Sequence, residues 1–475
     1  MRLFRVFPRI AALIVLCGFF PHFAPLSWAA PMNMPASIPQ APGQAVLQTL
    51  LNDIGKQRAE VIAIQRELVA RPALNPEDGG EGEEAKARWI EEYLLQKGLP
   101  QAERIDVPDE RVPAKVRPNL IIRYPGASER TLWIVGHLDT SPPGDLSQWT
   151  GSPWALRIVG DTIYGRGVED NHQAITSGLI LMESMARNRV TPPLSFGLVL
   201  HASGKYFFSG TYGLAAMLAV RPDLFKPGDL VVVPDQGNYE GSDLLVGEKG
   251  LLWLKITVTG KQVHSAFPYR GVNALDAGGS LIADLRGLHQ RFAEKNALFD
   301  PPTSTFVPTA MISGNPQVNQ IPGEFVFHMD CRLLLPYTAD EVQGAVRTLA
   351  DAAEKRDNVT ITVERKYTIP TTPVTPPDAL VVQAVRRAVL AELKVTAKPI
   401  GTGGATVAGE LRAKGIPVLV WANVEGTGLA ANEHITVTKL LEASRIFARI
   451  LFDPEVANAP AWSAAGNTPQ QGTGK

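Results

Sequence analysis

The sequence predicts a layered α/β protein interrupted by a smaller β-α-β-β-α-β unit, and three observations carry that prediction. Short apolar runs rich in β-branched residues ("PNLIIRY", "TLWIVGHLDT", "LSFGLVLHA", "DLVVVPDQG") alternate with helical apolar spacing, as at residues 44–70 and 83–98. Strands that are apolar throughout are buried on both faces, as in a parallel sheet covered by helices. The pattern then changes after Lys249 to strands that alternate apolar and polar residues. Finally, 475 residues exceed what one ordinary core organises, so two domains are expected.

Taken in order, the first domain runs from about residue 44 to 249. The inserted unit, 250–366, opens with the alternating "LLWLKITVTG" and a helical "NALDAGGSLIADLRGLHQRF". It continues with the strand "EFVFHMDCRLL", the Thr-capped helix "TADEVQGAVRTLADAAEK" and the strand "VTITVERKY". Helix and strand signals resume at Ala379 and include "GIPVLVWANV", so residues 367–453 complete the first domain. The remainder, 454–475, is small and polar without periodicity and reads as a disordered tail.

Composition excludes some classes of function. Formal net charge is −1 with 45% hydrophobic residues, and no polybasic field invites nucleic acid. The first residues, "MRLFRVFPRIAALIVLCGFF", join a basic start to a short apolar stretch, and "PLSWAA" follows with small residues at Ser27 and Ala29. That is an export signal, residues 1–29, which places the mature chain in the periplasm or outside the cell. A lipoprotein at Cys17 is disfavoured by the bulky Leu16, and an uncleaved anchor is the second alternative. Cys331 is then the only cysteine left, so no internal disulfide forms.

One histidine and two acids, His137, Asp170 and Asp235, stand where an α/β sheet places ligands. His137 and Asp139 end a strand and, two residues apart, point the same way. A carboxylate beside a metal-binding imidazole holds its second ring nitrogen. "YGRGVEDN" delivers Glu169 and Asp170 just before a helix that starts near His172, and Asp235 follows the strand "VVVP". The carboxyl ends of neighbouring strands are where such sheets bind ligands.

These residues, with "GHLDTSPPGDLSQWTGSPW", "IYGRGVEDNHQA", "GKQVHSAFPYRGVNAL", "NQIPGEFVFHMDCR" and "NEHI", resemble metallopeptidase family twenty over residues 45–453. These co-catalytic zinc hydrolases include aminoacylase, acetylornithine deacetylase, succinyl-diaminopimelate desuccinylase and carboxypeptidase G. The resemblance implies a zinc-peptidase-like α/β/α domain with a ferredoxin-like lid that dimerises. It also implies roles: Asp170 bridges two zinc ions, His137 and Asp235 complete the first position, and Asp139 orients His137. The Asp170–Asn171 peptide is often cis in relatives. His264 of the lid reaches a substrate carbonyl, usually across a dimer, while Asn319 and Arg332 contact the carbonyl and a substrate carboxylate.

The sequence departs from that pattern at three positions, all around one half of the site. Relatives carry Asp-Glu-Glu after the strand that ends here at Leu200, where the first Glu is the general base and the second a ligand of the other zinc. Here "HASGKYFFSGTYG" offers Tyr206 and Phe207 in one register, Gly204 and Lys205 in the other, and Lys205 can fill the vacated cation position by charge. Leu429 stands where relatives have the second-site His, and Val407 to Gly409 lack the usual Asp and Arg. The expectation is therefore one zinc per chain in an exported hydrolase of N-acyl amino acid or peptide amide bonds, homodimeric through its lid. Glu169, His172 or a substrate group would supply the base. The alternative is a silent member that binds an acyl-amino acid or peptide-like ligand.

Overall fold

The computed structural model describes residues 42–204, 209–313 and 317–460. The export segment, the Lys205 and Tyr206 positions and residues 461–475 lie outside the described residues. Eight strands form the larger sheet. Their spatial order is Glu103–Pro108, Val116–Tyr124, Leu194–His201, Ser128–His137, Leu230–Val233, Val418–Val420, Asp243–Glu248 and Lys398–Thr402. The strands starting at Leu194, Ser128, Leu230 and Val418 run parallel to one another, so their carboxyl ends open on one edge.

Period-two alternation sorts the strand side chains between two cores. Leu132, Ile134, Leu198, Leu200 and Val232 pack with helices Arg58–Val69, His172–Arg187, Leu380–Leu393 and Val437–Leu451. Trp133, Val135, Val199, Val231 and Val233 face helices Leu214–Val220 and Ala408–Ala413 on the other side. This is the helix, sheet, helix layering that continuous apolar strands require.

The inserted unit is a four-stranded antiparallel sheet ordered Thr305–Ser313, Glu324–Leu333, Gly250–Thr259, Thr360–Ile369. Helices Ala274–Asp284 and Ala339–Asp357 pack on one face of it around Leu252, Leu254, Phe325 and Phe327. The chain order is β-α-β-β-α-β, with the first and third strands central, as in a ferredoxin-like fold. Thr338 caps the second helix in a reciprocal box with Glu341.

One boundary needs correction: the tail does not begin at 454. Helix Pro454–Ala457 follows Asp453, whose side chain accepts from the Glu455 amide at 2.9 Å, and Val456 is fully buried. One apolar anchor in a polar stretch carries no periodic signal, which is why composition alone does not reveal it. Among the described residues, no helix is long and apolar enough to cross a membrane.

Candidate metal centre

His137 closes the central strand Ser128–His137, Asp235 lies two residues past the neighbouring strand Leu230–Val233, and Asp170 arrives on the loop before helix His172–Arg187. His137 Nε2 is 3.4 Å from Asp170 Oδ1 and 3.6 Å from Asp235 Oδ1. One donor atom from each of the three lies within 4.8 Å of the others. Asp235 Oδ1 is buried and, among the described residues, has no hydrogen-bond partner. An imidazole nitrogen and two carboxylates converging in this way fit one divalent cation with an open coordination position. Among the described residues no second such group of His, Cys, Asp and Glu forms.

The surroundings fix each donor. Asp139 is fully buried, with Oδ1 3.1 Å from His137 Nδ1, and accepts hydrogen bonds from the Gly204 amide (2.6 Å) and Asn75 Nδ2 (3.0 Å). The Asp139 carbonyl is also 3.0 Å from Nδ1, so that nitrogen carries the proton and Nε2 keeps its lone pair for a metal. Asn171 accepts from the His137 amide (3.2 Å) and donates to the Pro234 carbonyl, joining the two strand ends that bear ligands. The Asp170–Asn171 peptide is cis. Gly167 adopts φ +91°, and a Cβ there would meet the His172 ring at 2.6 Å, so this turn requires glycine.

Beneath this loop lies a buried ion pair that sequence reading passed over. Arg166 Nη1 donates to Glu433 Oε2 at 2.7 Å, and Glu433 Oε1 accepts the amides of Glu169 (3.0 Å) and Asp170 (2.9 Å). Burial pushes the Glu433 carboxyl up to about 7, helped by the Asp170 charge and opposed by Arg166. Both residues sit inside motifs quoted above, "YGRGVEDN" and "NEHI", but only the fold makes them a pair.

The structure corrects two candidates for the base. Glu169 accepts the amides of Glu425 (2.6 Å), Thr427 (2.6 Å) and Gly428 (2.9 Å), so its carboxylate is committed to holding that loop. His172 is fully buried, with Nε2 2.8 Å from Lys86 Nζ. Burial drives the His172 pKa well below its ordinary value, and the Lys86 charge adds to the effect. Lys86 itself, also fully buried, is pushed down to about 7 by desolvation, against the pull of Asp139, Glu83 and Glu433. A lysine inside a helical pattern reads as solvent-facing, so nothing in the sequence marks Lys86 as interior.

A further histidine was missed. His201 ends the strand beside His137 and is its register partner, with ring centroids 6.1 Å apart. Burial holds its pKa at about 4, and Nδ1 lies 3.0 Å from the Ala202 carbonyl. Two strand-terminal histidines far apart in sequence become neighbours only through the parallel pairing.

The lid residues fall in two places. His264 and Asn319 are exposed and lie across one short ladder, where the Ser265 amide donates to the Asn319 carbonyl at 2.9 Å. His264 Nδ1 accepts from the Ala266 amide at 3.1 Å, which leaves the proton of the neutral ring on Nε2. Arg332 is engaged within the chain through three of its five N–H groups, while 29% of its side chain stays exposed. Its Nε and Nη2 donate to Asp330 (2.7 and 2.9 Å), and its Nη1 donates to the Gly403 carbonyl at 2.8 Å. Gly404 in turn packs on Gln236, beside Asp235, so closely that a Cβ would lie 2.7 Å from the amide nitrogen. Leu429 is 60% exposed, and its carbonyl accepts from Arg166 Nη2 at 3.2 Å.

Residues 246–358 match the peptidase dimerisation domain family. An uncharacterized metallohydrolase of Methanocaldococcus jannaschii is 33% identical over 406 residues, covering 82% of this chain and 98% of the relative. A succinyl-diaminopimelate desuccinylase of Ruegeria is 27% identical over 397 residues, with the same coverage of each chain. Human carnosine dipeptidase 1 superposes with a TM-score of 0.65 at 15% identity, covering 86% of this chain and 99% of that one. The M20 family metallo-carboxypeptidase Sso-CP2 of Sulfolobus solfataricus gives 0.63 at 18% identity, covering 83% and 98%. Both likenesses are of fold.

Proposed function

The chain belongs to the M20 family of metallopeptidases, and on that premise we propose that it is an exported amidohydrolase that uses one zinc ion to cleave N-acyl amino acid or peptide amide bonds slowly. The observation that carries this reading is the convergence of His137, Asp170 and Asp235 at the carboxyl ends of parallel strands. A divalent cation held there supplies a Lewis acid that polarises the amide carbonyl and lowers the pKa of water.

The protein's own residues do the rest. His137 presents Nε2 because Asp139 takes the Nδ1 proton, and Asn171 and the Arg166–Glu433 pair keep the Asp170 loop in register with the strands. His264, with its proton on Nε2, donates to the carbonyl oxygen as charge develops there. With Glu169 and His172 both committed, a substrate group is left to act as the base, and a reaction without a positioned base is slower by about a hundredfold to ten-thousandfold. Homodimerisation through the lid accompanies this reading.

A second reading rests on Leu429: with an apolar side chain in the place of a ligand, the cleft captures an acyl-amino acid without cleaving it. Zinc-reconstituted protein, assayed for metal content and for turnover of N-acyl amino acids and dipeptides, separates the two. The hydrolase reading expects one zinc per chain and slow turnover that His137→Gln abolishes. Saturable binding without turnover favours capture, and two zinc ions per chain overturn the single-ion site.

A further inference from the structure

The residue where relatives place a metal ligand is held here in a conformation its side chain resists. Leu429 has φ +70°, in a region that branched, bulky residues rarely enter. It is the third residue of a turn closed by the Ala430 amide on the Thr427 carbonyl at 3.0 Å, a position that normally takes glycine or asparagine. The turn is anchored on both sides. Thr427 and Gly428 donate to Glu169, and the Leu429 carbonyl accepts from Arg166, the partner of the Glu433 that holds Asp170.

That anchoring sets Leu429 next in the chain to a residue that touches the metal centre. Gly428 lies against Asp170, such that a Cβ on it would come within 3.2 Å of the Asp170 Cβ and 3.5 Å of Oδ2. The next side chain, Leu429, is 60% exposed. Its side chain therefore gains little from burial to offset its backbone conformation. A strained residue kept outside the core and beside reactive groups points to function rather than packing.

Resting on the amidohydrolase reading, we propose that Leu429 is a specificity-determining residue: its exposed side chain is an apolar wall of the substrate site, selecting amides with an aliphatic group next to the scissile bond. A ligand's alkyl group would displace water from Leu429 while its polar atoms face the donors beside Asp170. The fixed turn makes that wall rigid, so little side-chain freedom is lost on binding.

The test uses zinc-loaded full chain and two metal-chelating probes, glycine hydroxamate and leucine hydroxamate, with binding measured by calorimetry. The wild type is expected to prefer the leucine probe by about tenfold or more, the range that a small alkyl group commands in an apolar site. Leu429→Gly and Leu429→Asn, which both accept positive φ, are expected to bring the two probes within about twofold of each other. Both variants are also expected to unfold at the same or higher denaturant concentration, since the strain is relieved. A preference that survives in both variants, or a wild type without one, overturns the proposal. Lost stability in both overturns the assignment to recognition and returns Leu429 to a structural role. If glycine hydroxamate fails to bind zinc-loaded wild type, the metal-centre reading falls as well, whereas its binding with unchanged selectivity in the variants sinks only the role of Leu429.

Discussion

The pair Arg166 and Glu433 offers a measurable handle on how the centre is held. Arg166 is 1% exposed and Glu433 0%, joined at 2.7 Å. Arg166→Met leaves a buried carboxylate without its partner, and Glu433→Gln leaves a buried guanidinium without its own. At about pH 9, where Glu433 is held ionised, each break costs about 3–5 kcal/mol, because the remaining charge has neither water nor a counter-ion. The double variant removes both charges, while the Gln oxygen can still accept the amides of Glu169 and Asp170. Its expected cost is about 1–2 kcal/mol, mostly lost hydrogen-bond strength. The coupling energy between the two changes is therefore about 4 kcal/mol or more. Guanidinium chloride unfolding of the four proteins in chelator at that pH measures it, and a coupling below about 1 kcal/mol refutes the idea that the pair acts as one buried unit.

Two other outcomes follow from the same geometry. Lys86 has its pKa at about 7 rather than 10.5, so between those values the unfolded chain binds a proton that the folded chain lacks. Stability then rises with pH across that window and is lost as pH falls toward 7. The term is at most about 1.4 kcal/mol per pH unit and is absent in Lys86→Met. The wild-type advantage over the variant should grow between about pH 7.5 and about pH 9.5, and a constant difference contradicts the burial argument. Asp139→Asn should weaken zinc binding about 10- to 100-fold in competition with a chelating dye, because the amide no longer takes the His137 Nδ1 proton as a carboxylate does. Unchanged affinity would show that Asp139 does not orient the ligand.

Much of this protein is legible from its sequence, for local physical reasons. Strands such as Leu194–His201 and Leu230–Val233 are buried at every position, as mainly apolar strands between two helix layers are. The switch to alternation at Gly250–Thr259 marks a sheet covered on one face, and Thr338 with Glu341 announces a helix start. The donors His137, Asp170 and Asp235 were legible too, since each follows an apolar run or a Gly-rich turn and a parallel sheet gathers its strand ends on one edge.

What only the tertiary structure decided is which polar groups water can reach. Glu169 and His172 lie within two residues of Asp170 and look equally available for proton transfer. In the fold, three backbone amides claim the first and a buried lysine faces the second. Arg332 reads as a free cation for a carboxylate, whereas in the fold Asp330 and the Gly403 carbonyl take three of its five N–H donors. Spacing along a chain sets direction and local conformation, whereas desolvation and pairing depend on segments hundreds of residues apart. The sequence by itself therefore determined that a metal-type donor set exists and where its strands end, while the packing of distant segments around it decided which neighbours are committed to structure and left Leu429 exposed.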